Sequence, residues 1–244
     1  NMEQKYILNE EDVRNLSPEQ RNEYNHFLGT VRDSGIVYQA QLQKFDEILQ
    51  QQYRSDVLFN PNSLERYPEI LAKNINSVID TITQFRNNAI NDKGGFEQFG
   101  FQRINEGLDV LKKFVETKLQ SPHYQNSIGY SDLKSVLPRI DQLKSQISQD
   151  MNFYQGYYDE KNSAIANYKS KKEAYDRLSL FGKFAARING KKKELTEAQQ
   201  KMNYYNSVSL PSGTQQPGDI VNPCQYDEYL EKQQLEQSTG GMRR

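Results

Sequence analysis

The sequence predicts an all-α protein, an elongated helical bundle built around a long antiparallel helical hairpin with coiled-coil-like packing. Over residues 138–205, apolar side chains recur at alternating steps of three and four. They are Ile140, Leu143, Ile147, Met151, Tyr154, Tyr158, Ile165, Tyr168 and Tyr175, with Lys161 and Lys172 interrupting. The seam breaks over 178–193 and resumes at Leu195, Ala198, Met202 and Tyr205, so two helices return on one another through an elbow. Two more seams, Leu71, Ile75, Val78, Ile82, Phe85, Ala89 and Ile104, Leu108, Leu111, Val115, Leu119, need a wall to pack on, and this spine supplies it. No alternating run predicts a sheet, and no internal repeat emerges.

Each element has its own signals. Asn9 is a candidate helix cap followed by three acids, which suit the positive end of a helix dipole. Ser17-Pro18-Glu19-Gln20 combines a cap, a proline at the first helical position and a capping-box glutamine. Tyr24, Phe27, Leu28 and Val31 mark one face up to Gly35, and the pattern resumes from Ile36 through Tyr38, Leu42, Phe45, Ile48 and Leu49 to about Tyr53. The next helix starts near Tyr67-Pro68 and stops at Asn91-Asp92-Lys93-Gly94-Gly95, and the third seam stops before Pro122. A loop over 121–130 leads into the spine, which begins either at Ser131 or near Pro138. The chain therefore divides into a bundle over 1–206, an irregular arm over 207–222 rich in Pro and Gly, and a short terminal helix with a tail over 223–244.

Composition agrees with a thin, helical molecule. Only 35% of the 244 residues are hydrophobic, against roughly 45–50% (glycine included) in globular domains. Sixteen Tyr and eleven Phe with no Trp supply the aromatic bulk, and Tyr suits half-buried seams beside water. The net charge of −1 conceals a segregation: residues 169–194 hold nine basic and three acidic residues, leaving 22 basic and 29 acidic elsewhere. The elbow is the positive lobe of an otherwise acidic chain.

That elbow, 178–194, is the first candidate site. Leu180, Phe181, Phe184 and Ile188 fall at helical spacing, flanked by Lys183, Arg187, Lys191, Lys192 and Lys193, with Ser179 as cap and Gly190 as stop. Such a pattern suits a surface helix on anionic lipid, Phe inserted and cations at the headgroups. The bland alternative, favoured because short apolar stretches usually serve packing, is a plug for the end of the bundle. Nucleic acid fits poorly, since no stacking aromatic array or recognised motif accompanies the cations. In the arm, the isolated apolar pair Ile220-Val221 is a second candidate contact, either docking the arm or meeting a partner.

Catalytic and metal chemistry find little footing. Cys224 is the only cysteine, which rules out an internal disulfide and agrees with a reducing compartment. A thiol enzyme would pair Cys224 with His26 or His123, but Asn222-Pro223-Cys224-Gln225-Tyr226 matches no nucleophile motif. Two histidines 97 residues apart offer no metal-ligand spacing, no glycine-rich phosphate loop follows a strand, and no cofactor is expected. No run of about 18 apolar residues predicts a membrane span, and the start lacks the pattern of an ordinary secretory signal peptide.

The last eighteen residues carry an acidic block (Asp227, Glu228, Glu231, Glu236), then small polar residues, then Met242 third from the end. This arrangement resembles the secretion signal of Legionella-type Dot/Icm (type IVB) effectors, and the resemblance implies delivery into a host cell without specifying an activity there. An amphipathic terminal helix with a frayed tail accounts for the same residues. The functional expectation is therefore a non-catalytic helical interaction module with a protein partner, translocated if the terminal resemblance holds. The alternative is peripheral binding to anionic membrane through 178–194, and a Cys224-dependent enzyme comes third. Heptad seams alone do not distinguish packing within the chain from packing between chains.

Overall fold

The computed structural model describes residues 7–56, 66–91, 100–207 and 225–241, and every regular element among them is an α-helix. In chain order these are α1 (Glu10–Asn15), α2 (Pro18–Ser34), α3 (Gln39–Asp56), α4 (Tyr67–Asn91), α5 (Phe101–Leu119), α6 (Tyr130–Asp176), α7 (Leu180–Ile188), α8 (Lys191–Ser207) and α9 (Gln225–Gly241). The all-α bundle expected from the seams is what forms. The chain divides into two compact units, Asn1–Asp150 and Met151–Arg244, with the division inside α6. Residues 208–224, which carry Ile220, Val221 and Cys224, lie outside the described residues.

The predicted caps form as the side chains dictate. Asn9 accepts from the Asp12 amide at 2.8 Å while Asp12 accepts from the Asn9 amide, a reciprocal box that starts α1. Ser17 and Gln20 repeat the arrangement at α2. α2 ends at Gly35, whose φ of 68° is left-handed. A Cβ there would sit 2.7 Å from the Phe85 ring, so glycine also lets the end of α2 press against α4.

In the first unit, α2, α3 and α4 pack on one another through Phe27, Val31, Leu42, Phe45, Leu71 and Ile75. Phe45 lies 4.5 Å from Phe27 and 5.7 Å from Tyr24, ring to ring. α5 backs onto the segment between α2 and α3 at Gly107, where an added Cβ would come within 2.6 Å of the Val37 amide nitrogen. Asp46, buried on α3, accepts from the Tyr67 hydroxyl at 2.6 Å, the Lys118 ammonium at 2.6 Å and the Gln50 amide at 3.0 Å, which ties α3 to α4 and α5. Burial first, and then the Asp46 charge, pushes the Tyr67 hydroxyl well above its ordinary pKa, so it stays a donor.

The first half of α6 is the wall against which α4 and α5 rest. Its partners on α5 descend as α6 ascends (Asp141 to Lys112 at 2.8 Å, Lys144 to Asp109, Ser148 to Asn105 at 2.9 Å), so those two helices are antiparallel. Its partners on α4 ascend with it (Arg139 to Asp80 at 2.7 Å, Asp150 to Arg86), so those two are parallel. The Arg86–Asp150 pair, like Asp46, places charge in the interior. The guanidinium donates to both carboxylate oxygens, at 2.7 and 3.0 Å, with the side chains 6% and 0% exposed. Burial raises the Asp150 pKa, and the Arg86 hydrogen bond and charge pull against it.

One detail of α6 selects between two expectations and another differs from the sequence reading. The helix starts at Tyr130, at the earlier of the two expected starts, and runs through Pro138. Its buried positions are Leu133, Val136, Ile140, Leu143, Ile147, Asp150, Tyr154, Tyr157 and Ala164, an unbroken three–four rhythm as far as Tyr157. Met151, Tyr158 and Ile165 flank that line and are only half-buried. Periodicity selects the apolar Met151 over Asp150 and so slips by one residue, because an aspartate is not expected in a core without its partner in view.

In the second unit α6 and α8 form the antiparallel hairpin. Tyr157 donates its hydroxyl to the Tyr205 carbonyl at 3.0 Å, Lys201 pairs with Glu160 at 3.7 Å, and Lys171 with Glu194 at 3.6 Å. α9 docks at the open end, where Tyr226 lies 5.2 Å from Tyr204 and 6.4 Å from Tyr205 and Leu230 adds to the contact.

Replacing Arg86 with Ala is expected to lower the unfolding free energy of the first unit by about 3–5 kcal/mol, because it strands the Asp150 carboxylate. Joint replacement, Arg86→Met with Asp150→Leu, is expected to recover most of that loss in denaturant titration.

Candidate functional site

The closed end of the hairpin is built by short-range chemistry. α6 winds down through the Leu178 amide, which donates to the Tyr175 carbonyl at 3.0 Å. Ser179 then caps α7, its Oγ accepting from the Gly182 amide at 3.0 Å. α7 stops where the Asn189 amide reaches the Ala185 carbonyl and Gly190 turns left-handed at φ 87°. The Asn189 side chain accepts from the Lys191 amide at 3.1 Å and so opens α8.

α7 touches the rest of the hairpin tip by a narrow face. Ala186 is 1% exposed and packs inward, whereas Leu180, Phe181, Phe184 and Ile188 are 89%, 81%, 62% and 73% exposed. At 100° per residue those four fall in a sector about 100° wide, with Ala186 opposite. The plug reading is thereby overturned: the apolar residues face solvent. A small alanine lets α7 lie close on its neighbours, and a nine-residue helix has no second face to bury the large ones.

Charge surrounds that face. Between Asp176 and Glu194 the chain has six cations (Arg177, Lys183, Arg187, Lys191, Lys192, Lys193) and no carboxylate. The two flanking acids are engaged by lysines farther along the hairpin, Asp176 by Lys172 at 3.8 Å and Glu194 by Lys171 at 3.6 Å. Lys183 and Lys192 lie over the Tyr175 ring, 5.5 and 4.5 Å from its centroid.

Of the other candidates, Cys224 lies outside the described residues. His26 is exposed on α2, beside an open depression of about 620 Å³ that also touches Asp33, Tyr38 and Arg103, and His123 is exposed in the turn after α5. Among the described residues no three His, Cys, Asp or Glu side chains gather to hold a metal. A groove of about 500 Å³ between α3 and α5 runs past Gln43, Glu47, Val110 and Phe114, and the Asp46 carboxylate on its floor already accepts three hydrogen bonds. Within the described residues no helix is long and apolar enough to cross a membrane.

Phe181, Lys183, Phe184, Arg187 and Lys191–Lys193 thus meet at one tip as the sequence reading grouped them. Leu180 and Ile188 complete the apolar face, and Tyr175, read only as a seam residue, turns out to organise two of the cations. Its terminal position in the seam was visible; the approach of Lys192 across the hairpin was not. Compared with protein-family models, curated proteins and solved structures, the chain finds no significant match. The class that fold and site define is a helical bundle whose hairpin tip displays an amphipathic, basic helix.

Exposure makes a direct stability prediction. Phe181→Ser and Phe184→Ser are each expected to change the unfolding free energy by no more than about 0.5 kcal/mol. A buried plug would lose about 3–5 kcal/mol in the same chemical denaturation experiment.

Proposed function

We propose that this chain is a non-catalytic helical module that docks on anionic lipid surfaces through its hairpin tip. The observation that carries the reading is the outward apolar sector of α7, ringed by cations that have no carboxylates within the same stretch. In water those four side chains leave a hydrophobic surface uncovered. In a bilayer interface each is removed from water, a gain of about 1.5–3 kcal/mol if burial is complete. Each Lys or Arg held near an anionic surface adds about 1 kcal/mol. Charge complementarity favours lipid over tip-to-tip association with a second copy, which would bring two positive lobes together.

Flotation with vesicles containing phosphatidylserine tests this. Changing Lys191, Lys192 and Lys193 together to Glu is expected to weaken binding by roughly a hundredfold or more. The Phe181→Ala/Phe184→Ala variant should lose about tenfold or more while keeping the salt sensitivity of the wild type. Binding that survives the triple reversal unchanged sinks the reading, as does a wild-type chain that ignores vesicles and self-associates through Phe181.

A second reading concerns delivery. Asp227, Glu231 and Glu236 are exposed on α9, which supports a displayed C-terminal secretion signal, whereas Met242 lies outside the described residues. Deleting residues 227–244 is expected to abolish translocation in a reporter assay with the secretion system. Undiminished translocation would remove this reading and leave the lipid one untouched.

A further inference from the structure

Lys183 and Lys192 come from different helices, yet both ammonium groups are drawn to one ring, that of Tyr175. They lie no farther apart than the two ring distances combined, and among the described residues neither has a carboxylate partner. Gathering two like charges raises their mutual repulsion. Each ammonium has three N–H donors, and a ring face engages at most one or two of them. Several donors therefore remain for an anion that could answer both groups at once. Tyr175 is half-buried and immediately precedes the turn into α7. A Tyr with two Lys directly behind an apolar sector is the order found at membrane interfaces, aromatic and cationic groups at headgroup depth and aliphatic ones deeper.

We infer that Tyr175, Lys183 and Lys192 form a headgroup phosphate site that prefers a lipid bearing a phosphomonoester over one bearing only a phosphodiester. This rests on the membrane reading above and deepens it. A terminal phosphate carries close to two charges and three acceptor oxygens, so it can take hydrogen bonds from both ammonium groups together. A diester carries one charge, and a serine headgroup adds an ammonium that opposes the lysines. Tyr175 acts as a positioning residue: its ring holds the two lysines in register for one phosphate.

The test compares the full chain on two vesicle sets matched in total negative charge, one with phosphatidylserine and one with a phosphatidylinositol monophosphate. The wild type is expected to bind the phosphomonoester vesicles about tenfold more tightly. Lys183→Gln/Lys192→Gln should bring the two affinities to within about twofold of one another, whereas Arg187→Gln/Lys193→Gln removes the same charge and should keep the preference. Tyr175→Leu, which retains every charge, should erode the preference while leaving phosphatidylserine binding near that of the wild type. A soluble inositol phosphate tests the source: weak competition supports a lipid-borne headgroup, and displacement at equal concentration overturns it. Equal wild-type affinity for the two vesicle sets overturns this inference alone. No binding to either set overturns the membrane reading itself. A preference that survives the Lys183→Gln/Lys192→Gln change also overturns the assignment.

Discussion

The guanidinium of Arg86 and the carboxylate of Asp150 meet in the interior of the first unit, and much of the register of α6 follows from that meeting. Moving either charge out of water costs several kcal/mol, so neither side chain is tolerated there without the other. The two hydrogen bonds fix α4 against α6 at one depth, and Arg139 with Asp80 repeats the spacing nearer the start of α6. On the opposite flank Lys112, Asp109 and Asn105 of α5 pair with Asp141, Lys144 and Ser148. These surface pairs contribute little individually. They are satisfied together only when Asp150 sits beneath Arg86.

That register is why Asp150 occupies a seam position, with Tyr154 and Tyr157 continuing its three–four step. A helix turned so that Met151 led the seam would carry Asp150 away from its partner and strand Arg86 among apolar side chains. Within the second unit Tyr157 donates to the Tyr205 carbonyl, and Tyr226 joins the same cluster. The Tyr157 hydroxyl reaches a backbone carbonyl while its ring packs against Tyr158 and Tyr205, which is how a chain poor in aliphatic residues closes a hairpin.

The tip obeys a different constraint. A hairpin of two helices closed by a nine-residue third offers only one narrow face for burial, and Ala186 fills it. Leu180, Phe181, Phe184 and Ile188 are left facing water, with cations adjoining them. Among the described residues Lys183 and Lys192 share one tyrosine and no carboxylate. Such a surplus is expected where a surface serves contact rather than packing.

By itself the sequence determined the helical class, the caps at Asn9 and Ser17, the limits of α4, the end of α5, the elbow and its charge, because each follows from residues within a few positions of one another. Asn9 and Asp12, Ser17 and Gln20, or the heptads of α4 need no distant partner to be read. The one-residue slip at Asp150, the division of the chain inside α6 and the outward aim of α7 were decided only by tertiary structure. Each depends on what another part of the chain presents: Arg86 makes an aspartate admissible in a core, and the narrow contact through Ala186 leaves the large apolar side chains unmet. Periodicity reports that a helix has an apolar face, and it takes the packed molecule to say whether anything covers it.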